Sequence, residues 1–166
     1  MTTEDTLTKP LNETHSPDER GLRIFEHVSS KIKRELIRLR RHWDNHEVAL
    51  GSLCRLHSRP IPRMFARSQG ISDHDLTDFS IKHDLTSIRS GQTSYGTVVF
   101  GKIRIPAVKD EDGFGFIHVR LHDPPGNEMS DVILHAILTE EVKENGSIVD
   151  YRAIMRQEDP LTWFDE

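Results

Sequence analysis

The sequence predicts an α+β fold in which one long N-terminal helix packs on an antiparallel meander sheet of four or five strands. Two changes of pattern carry this prediction. Apolar residues recur every three or four positions over the first third of the chain, which indicates a helix, and every two positions from Gly96 onward, which indicates strands. Strands and helices do not alternate in the way that a parallel sheet requires, so the strands are expected to be antiparallel.

The helix is predicted to run from about residue 17 to residue 45. Ser16, Pro17 and Glu19 form a start pattern, because serine caps free N–H groups, proline suits the first helical position, and an acid suits the positive end of the helix dipole. One apolar face follows at spacings of three and four residues and is expected to pack on the sheet. It consists of Phe25, Val28, Ile32, Leu36, Leu39 and Trp43.

A basic stripe runs along the same helix. Lys31, Arg34, Arg38 and Arg41 are spaced by three, four and three residues, and their row lies roughly 140° around the helix from the apolar face. The stripe is therefore expected to face outward, as a solvated surface, a partner of acidic residues or a contact for an anionic group. The aromatic residues and glycines on which single-stranded nucleic acids stack are missing beside it, so nucleic acid is not the expected partner.

The rest of the chain is predicted to be one domain, residues 16–166, behind a disordered tail at residues 1–15. Residues 47–58 are interpreted as a strand, and Pro60 and Pro62 as an irregular connection. A helical insertion in two pieces is expected at about residues 72–90. The sheet strands are expected at residues 97–105, 114–122, 131–142 and 148–155, with a tight turn at Asn145-Gly146, and the tail places Trp163 and Phe164 where they could dock on the core.

Composition favours a cytoplasmic or nuclear protein. Among 166 residues there is a single cysteine, Cys54, no apolar run long enough to span a bilayer, and a polar, acidic N-terminus without the apolar core of a signal peptide. The net charge of −5 is unevenly spread. Bases dominate residues 21–67 and acids dominate residues 128–166, a pattern typical of halves that attract each other or of a basic region that meets an anionic partner.

No complete catalytic set is visible, and neither a metal nor a cofactor is expected. Histidine spacings typical of zinc sites, a phosphate-binding glycine loop and a nucleophile elbow are absent, and Cys54 has no positioned base. One alternative is a pocket between helix and sheet that is lined by a set of polar residues, as in a small enzyme or a ligand-binding domain. This set consists of His118, Arg120, His122, His135 and Tyr151.

Residues 91–128 carry a family resemblance. Gln92, Thr93, Ser94, Tyr95 and Gly96 stand where a Gln-x-Val-x-Gly hairpin motif occurs in the stefin-type cystatins, and the strand "FIHVRL" at residues 116–121 is similar to the strand that follows there. The stretch thus resembles these single-domain intracellular proteins. The resemblance implies a cystatin-like fold, a first hairpin turn at residues 92–96, and inhibition of papain-like cysteine proteases by that turn.

The leading hypothesis is a non-catalytic intracellular protein-binding or regulatory module. It would present the turn at residues 92–96 and the basic stripe to a protein partner, because loops on a rigid sheet vary without cost to the fold. The polar pocket and the cystatin-like inhibitor are the alternatives. A homodimer is possible, since an exposed strand edge invites association.

Overall fold

The computed structural model describes residues 7–53, 63–126 and 128–165, which form the predicted α+β fold. Its helices are α1 at Glu19–Leu53, α2 at Asp73–Leu76 and α3 at Ile81–Asp84. Four strands form an antiparallel sheet in chain order: β1 at Leu85–Thr93, β2 at Gly96–Asp110, β3 at Gly113–Asp123 and β4 at Ile133–Ile137. Strands β5, at Glu140–Glu144, and β6, at Ser147–Arg152, form a separate hairpin.

Helix α1 begins later and ends later than predicted. The carboxylate of Asp18 accepts the N–H of Gly21 at 2.6 Å, so Asp18 takes the capping role expected of Ser16. The helix continues to Leu53, and the predicted strand is therefore wrong for residues 47–53. Each added helical residue brings one more backbone hydrogen bond, which offsets the cost of about 1 kcal/mol for Gly51. Residues 54–62, with Cys54 and both prolines, lie outside the described residues.

The predicted apolar face of α1 packs on the sheet. Phe25, Ile32 and Leu36 are fully buried, while Leu39 and Trp43 are partly buried against the same core. The helix lies close to the sheet at Gly101 of β2, where a Cβ atom would lie 2.3 Å from Cζ of Phe25. A residue with a side chain at that position would therefore push the helix away from the sheet.

The helical insertion predicted at residues 72–90 is wrong in its second half. Only two one-turn helices form, each capped by a serine, Ser72 or Ser80, that accepts an N–H from the third residue after it. Chain pairing with β2 begins at Leu85. The apolar row is buried as expected, but it does not lie on one helix. Ile81 belongs to α3, whereas Leu85 and Ile88 belong to β1.

The later strands also differ from the prediction. Strand β2 continues past Ile105 to Asp110, because a register shift after Ile105 accommodates Pro106, which has no N–H to donate. The long strand predicted at residues 131–142 is two strands, β4 and β5. Between them Leu138 is buried, and its N–H donates to the carbonyl of His118 on β3, one position beyond the last pair of the β3–β4 ladder.

The disordered tail predicted at residues 1–15 is wrong for residues 7–15, which run antiparallel to β1. The N–H of Thr8 donates to the carbonyl of Gln92, and His15 and Ile88 exchange both backbone bonds. This segment covers the outer edge of β1, where unpaired backbone groups would otherwise invite association. The tight turn at Asn145-Gly146 is confirmed by φ angles of 51° and 80°.

The core lies on both faces of the sheet. One apolar cluster fills the space between the sheet and α1, and a second lies on the opposite face beneath residues 155–165, here called the C-terminal segment. In the described part of the chain, no helix has the length and apolar character needed to cross a bilayer.

We expect the substitution Gly101→Ala to lower the free energy of unfolding by about 1–3 kcal/mol, because the new methyl group meets the ring of Phe25. Urea denaturation measures the change. As a control, Ser87→Ala removes a half-buried hydroxyl of β1 and should shift stability by less than about 0.5 kcal/mol. Equal stability of the Gly101→Ala variant and the wild type would contradict the close contact.

Candidate functional site

The structure does not bring the five predicted pocket residues together. His118 and Arg120 share one face of β3 and are buried on the side opposite α1. Tyr151 packs on Trp43 of α1, with ring centroids 5.8 Å apart. His122 is half-buried at the end of β3, and His135 lies exposed on β4 at the register shift between β3 and β4.

The C-terminal segment occupies the face on which His118 and Arg120 lie. Three cations of the sheet donate to its main-chain carbonyls, one from each of β1, β2 and β3. Lys102 reaches the carbonyls of Gln157 and Asp159 at 2.7 and 2.6 Å. Arg89 donates to the carbonyl of Leu161 at 2.8 Å, and Arg120 to that of Phe164 at 2.8 Å.

Aromatic contacts also hold the C-terminal segment on the sheet. Phe100 lies between Arg89 and Arg120 in the register of the sheet. Trp163 and Phe164 pack on its ring at centroid distances of 5.7 and 5.2 Å, so the predicted docking of the tail on the core is confirmed. The guanidinium of Arg120 stacks on Trp163 at 4.5 Å.

His118 is the most strongly perturbed group on this face. Burial lowers the pKa of its imidazole to about 3, and the nearby ammonium of Lys102 adds to the effect. Its Nε2 is buried and makes no hydrogen bond in the described part of the molecule. Burial also lowers the pKa of Lys102. His118 is therefore a neutral core side chain at physiological pH.

The turn at residues 92–96 joins β1 to β2 as predicted. The hydroxyl of Thr93 accepts the N–H of Tyr95 and donates to the carbonyl of Gly96, which closes the turn, and Ser94 and Tyr95 form its exposed tip. Tyr95 is 75% exposed. A Cβ atom at Gly96 would lie 2.5 Å from the carbonyl oxygen of Asp123, so this turn touches the loop after β3. We call residues 92–96 and 124–126 together the hairpin end.

The basic stripe is exposed as predicted, but its four members differ in their partners. Arg38 forms an ion pair with Glu35 at 2.6 Å, and Arg41 forms one with Asp73 at 2.8 Å. Lys31 and Arg34 form no ion pair with any residue that the structure describes. The free positive charge of the stripe is thus concentrated in its first half.

This half of the stripe lines a groove of about 480 Å³ between α1 and β4, which we call the basic groove. Its floor includes Val132 and Leu134, and Ile133 beside them is 56% exposed. Strand β4 pairs with β3 along one edge, and no described strand pairs with its other edge. The sequence predicted the stripe but not this groove, because the position of β4 depends on pairing with β3.

The β5–β6 hairpin is a second surface that the sequence did not single out. Ile148 and Val149 are 40% and 43% exposed near its tip. Exposed acidic side chains of the hairpin include Glu141, Glu144 and Asp150, while the cross-strand partner of Ile148 is the exposed Lys143. At its base the hairpin is held by the contact of Tyr151 with Trp43 and by an ion pair between Arg152 and Glu140.

Comparisons of this chain with protein-family models, with curated proteins and with solved structures gave no match. In the ranges 7–53, 63–126 and 128–165, no three His, Cys, Asp or Glu side chains are grouped so that they could hold a metal ion.

We expect the substitution His118→Leu to flatten the pH dependence of stability between about pH 6.5 and pH 4. The folded chain keeps His118 neutral down to a pKa of about 3, whereas the unfolded chain protonates it near its ordinary value of 6.5. The unfolded state therefore binds more protons in this window, and the wild type loses up to about 1.4 kcal/mol per pH unit as pH falls.

Denaturation curves at several pH values measure this slope. His27→Gln, which removes an exposed histidine of α1, serves as the control and should keep the slope of the wild type. Identical slopes for His118→Leu and the wild type would show that His118 is not held neutral.

Proposed function

We propose that this chain is a non-catalytic intracellular protein-binding module and that the basic groove is its principal binding surface. One observation carries the proposal: the unpaired cations Lys31 and Arg34 and the open edge of β4 line the same groove. The single cysteine supports the intracellular setting.

The edge of β4 favours an extended partner. An open strand edge presents alternating N–H and carbonyl groups, which an added strand can satisfy along its whole length. Ile133, exposed on that strand, offers an apolar contact to a neighbouring side chain of such a partner on the same face.

The charge of the groove favours an acidic partner. Lys31, Arg34 and Arg38 line the groove together with Glu35. Among the described residues, Arg38 is the one of these three cations that forms an ion pair, and its partner is Glu35. Positive charge along a strand edge raises the association rate of acidic segments and disfavours basic ones. The partner that fits best is an acidic protein segment in extended conformation.

We expect the double substitution K31E/R34E to weaken binding of an acidic strand peptide by at least about tenfold, because each exposed ion pair contributes about 0.2–1 kcal/mol and reversal adds repulsion. The probe is a fluorescein-labelled peptide of alternating glutamate and valine, measured by fluorescence anisotropy. Binding should also weaken as salt is raised from about 0.05 to 0.5 M.

Three controls separate the proposed mode from bulk charge attraction. The variant K9E/K82E reverses two exposed lysines outside the groove and should bind like the wild type. A peptide with proline at its centre, which cannot continue a strand ladder, should bind weakly, as should a lysine–valine peptide. Equal binding by K31E/R34E and the wild type would contradict the proposal.

A small-molecule site built from His118 and Arg120 has less support, because the C-terminal segment occupies that face of the sheet.

The hairpin end supports a second candidate function, inhibition of papain-like cysteine proteases. Its two turns lie side by side, with Tyr95 projecting from the first, and the resemblance of residues 91–128 to stefin-type cystatins points to the same end.

This second candidate predicts that the chain inhibits papain and that Tyr95→Asp weakens inhibition by at least about tenfold, because a charge at the projecting tip must be desolvated in an apolar protease cleft. Hydrolysis of a fluorogenic substrate measures it. Full papain activity at a micromolar excess of the chain would remove this candidate and leave the basic groove unaffected.

A further inference from the structure

We infer that the basic groove of one copy of this chain binds the β5–β6 hairpin of a second copy, so that two copies form a dimer with two-fold symmetry. The inference rests on the proposed function, because it names the partner of the same groove. Three observations carry it: the charges of the two surfaces, their positions at the two ends of β4, and the apolar residues that each exposes.

The charges of the two surfaces are complementary, and several of them form no ion pair within the described part of one copy. Glu141, Glu144 and Asp150 of the hairpin form no ion pair with any described residue, and the carboxylate of Asp150 accepts only the N–H of Tyr151. Lys31 and Arg34 in the groove are likewise unpaired inside the described fold. These five unpaired charges are therefore available for contact between copies.

The positions of the surfaces suit a two-fold axis at β4. The groove is lined by residues at the start of β4, from Ser130 to Leu134. The hairpin begins at Glu140, just after β4 ends at Ile137. If β4 pairs antiparallel with its own copy, the end of each β4 lies beside the start of the other. Each hairpin then lies next to the groove of the other copy, and the open edge of β4 is paired.

Exposed apolar residues supply the remaining contact. Ile133 is exposed at the groove, and Ile148 and Val149 are exposed on the hairpin. A two-stranded hairpin is marginally stable in water unless one of its faces is packed, and packing against the other copy would remove apolar side chains of both surfaces from solvent.

Sedimentation velocity of the full chain at about 1–100 µM tests the inference, with circular dichroism to confirm folding. The wild type should form a dimer. The groove variant K31E/R34E and the hairpin variant E141K/E144K should each dissociate at least about tenfold more readily, because each dimer then holds like charges at both contacts. An equimolar mixture of the two variants should restore a dimer, since both of its contacts then join opposite charges.

A chain that carries all four substitutions should dimerise like the wild type, and K9E/K82E should leave the dimer unchanged. A wild type that is monomeric at about 100 µM, or a dimer that neither variant weakens, overturns the inference. The proposed function is tested apart from it by titrating the acidic strand peptide into E141K/E144K, which keeps the groove intact. Peptide binding by that variant together with a monomeric wild type would refute only the dimer.

Discussion

The contact between Phe25 of α1 and Gly101 of β2 sets the geometry on which the rest of the structure depends. The missing side chain at Gly101 lets the helix lie close to the sheet, and Ile32 and Leu36 then fill the core along its length. Because this face of α1 is fixed inward, the basic stripe on its other side is fixed outward. The basic groove is thus a geometric consequence of core packing, since the same contact places Lys31 and Arg34 beside β4.

The two faces of the sheet are covered through different kinds of contact. On the side of α1 the cover is apolar, and on the other side long cationic side chains hold the C-terminal segment through its carbonyls. Lysine and arginine suit this role because their aliphatic stems pack as apolar groups while their charged ends keep hydrogen bonds. This explains how a chain with only 35% hydrophobic residues covers both faces of a sheet.

The features that the sequence predicted are those that local spacing determines. Periods of 3.6 or 2 residues give the apolar face of α1, the outward stripe and the shared face of His118 and Arg120. The tight turn at Asn145-Gly146 follows from residues that accept positive φ angles. Pairing between distant segments was not predictable in this way. The spacing of Ile81, Leu85 and Ile88 fits one helix. Leu85 and Ile88 nevertheless lie in a strand, because they pair with β2. The pocket with His118 was expected between helix and sheet, but His118 lies on the opposite face, where a segment about 40 residues further along the chain covers it.

The way in which the C-terminal segment is held has an evolutionary consequence. Lys102, Arg89 and Arg120 all contact backbone oxygens, which every amino acid provides. A substitution at exposed Thr162 is therefore expected to be neutral for docking, whereas Leu161 and Phe164 are constrained by their burial. Asp165 is exposed as well, but its carboxylate pairs with Arg120 at 3.0 Å. Homologues are expected to diverge rapidly in the sequence of the C-terminal segment and to keep the three cations. A distant relative is therefore better recognised by three cations on adjacent strands than by sequence similarity in its C-terminal segment.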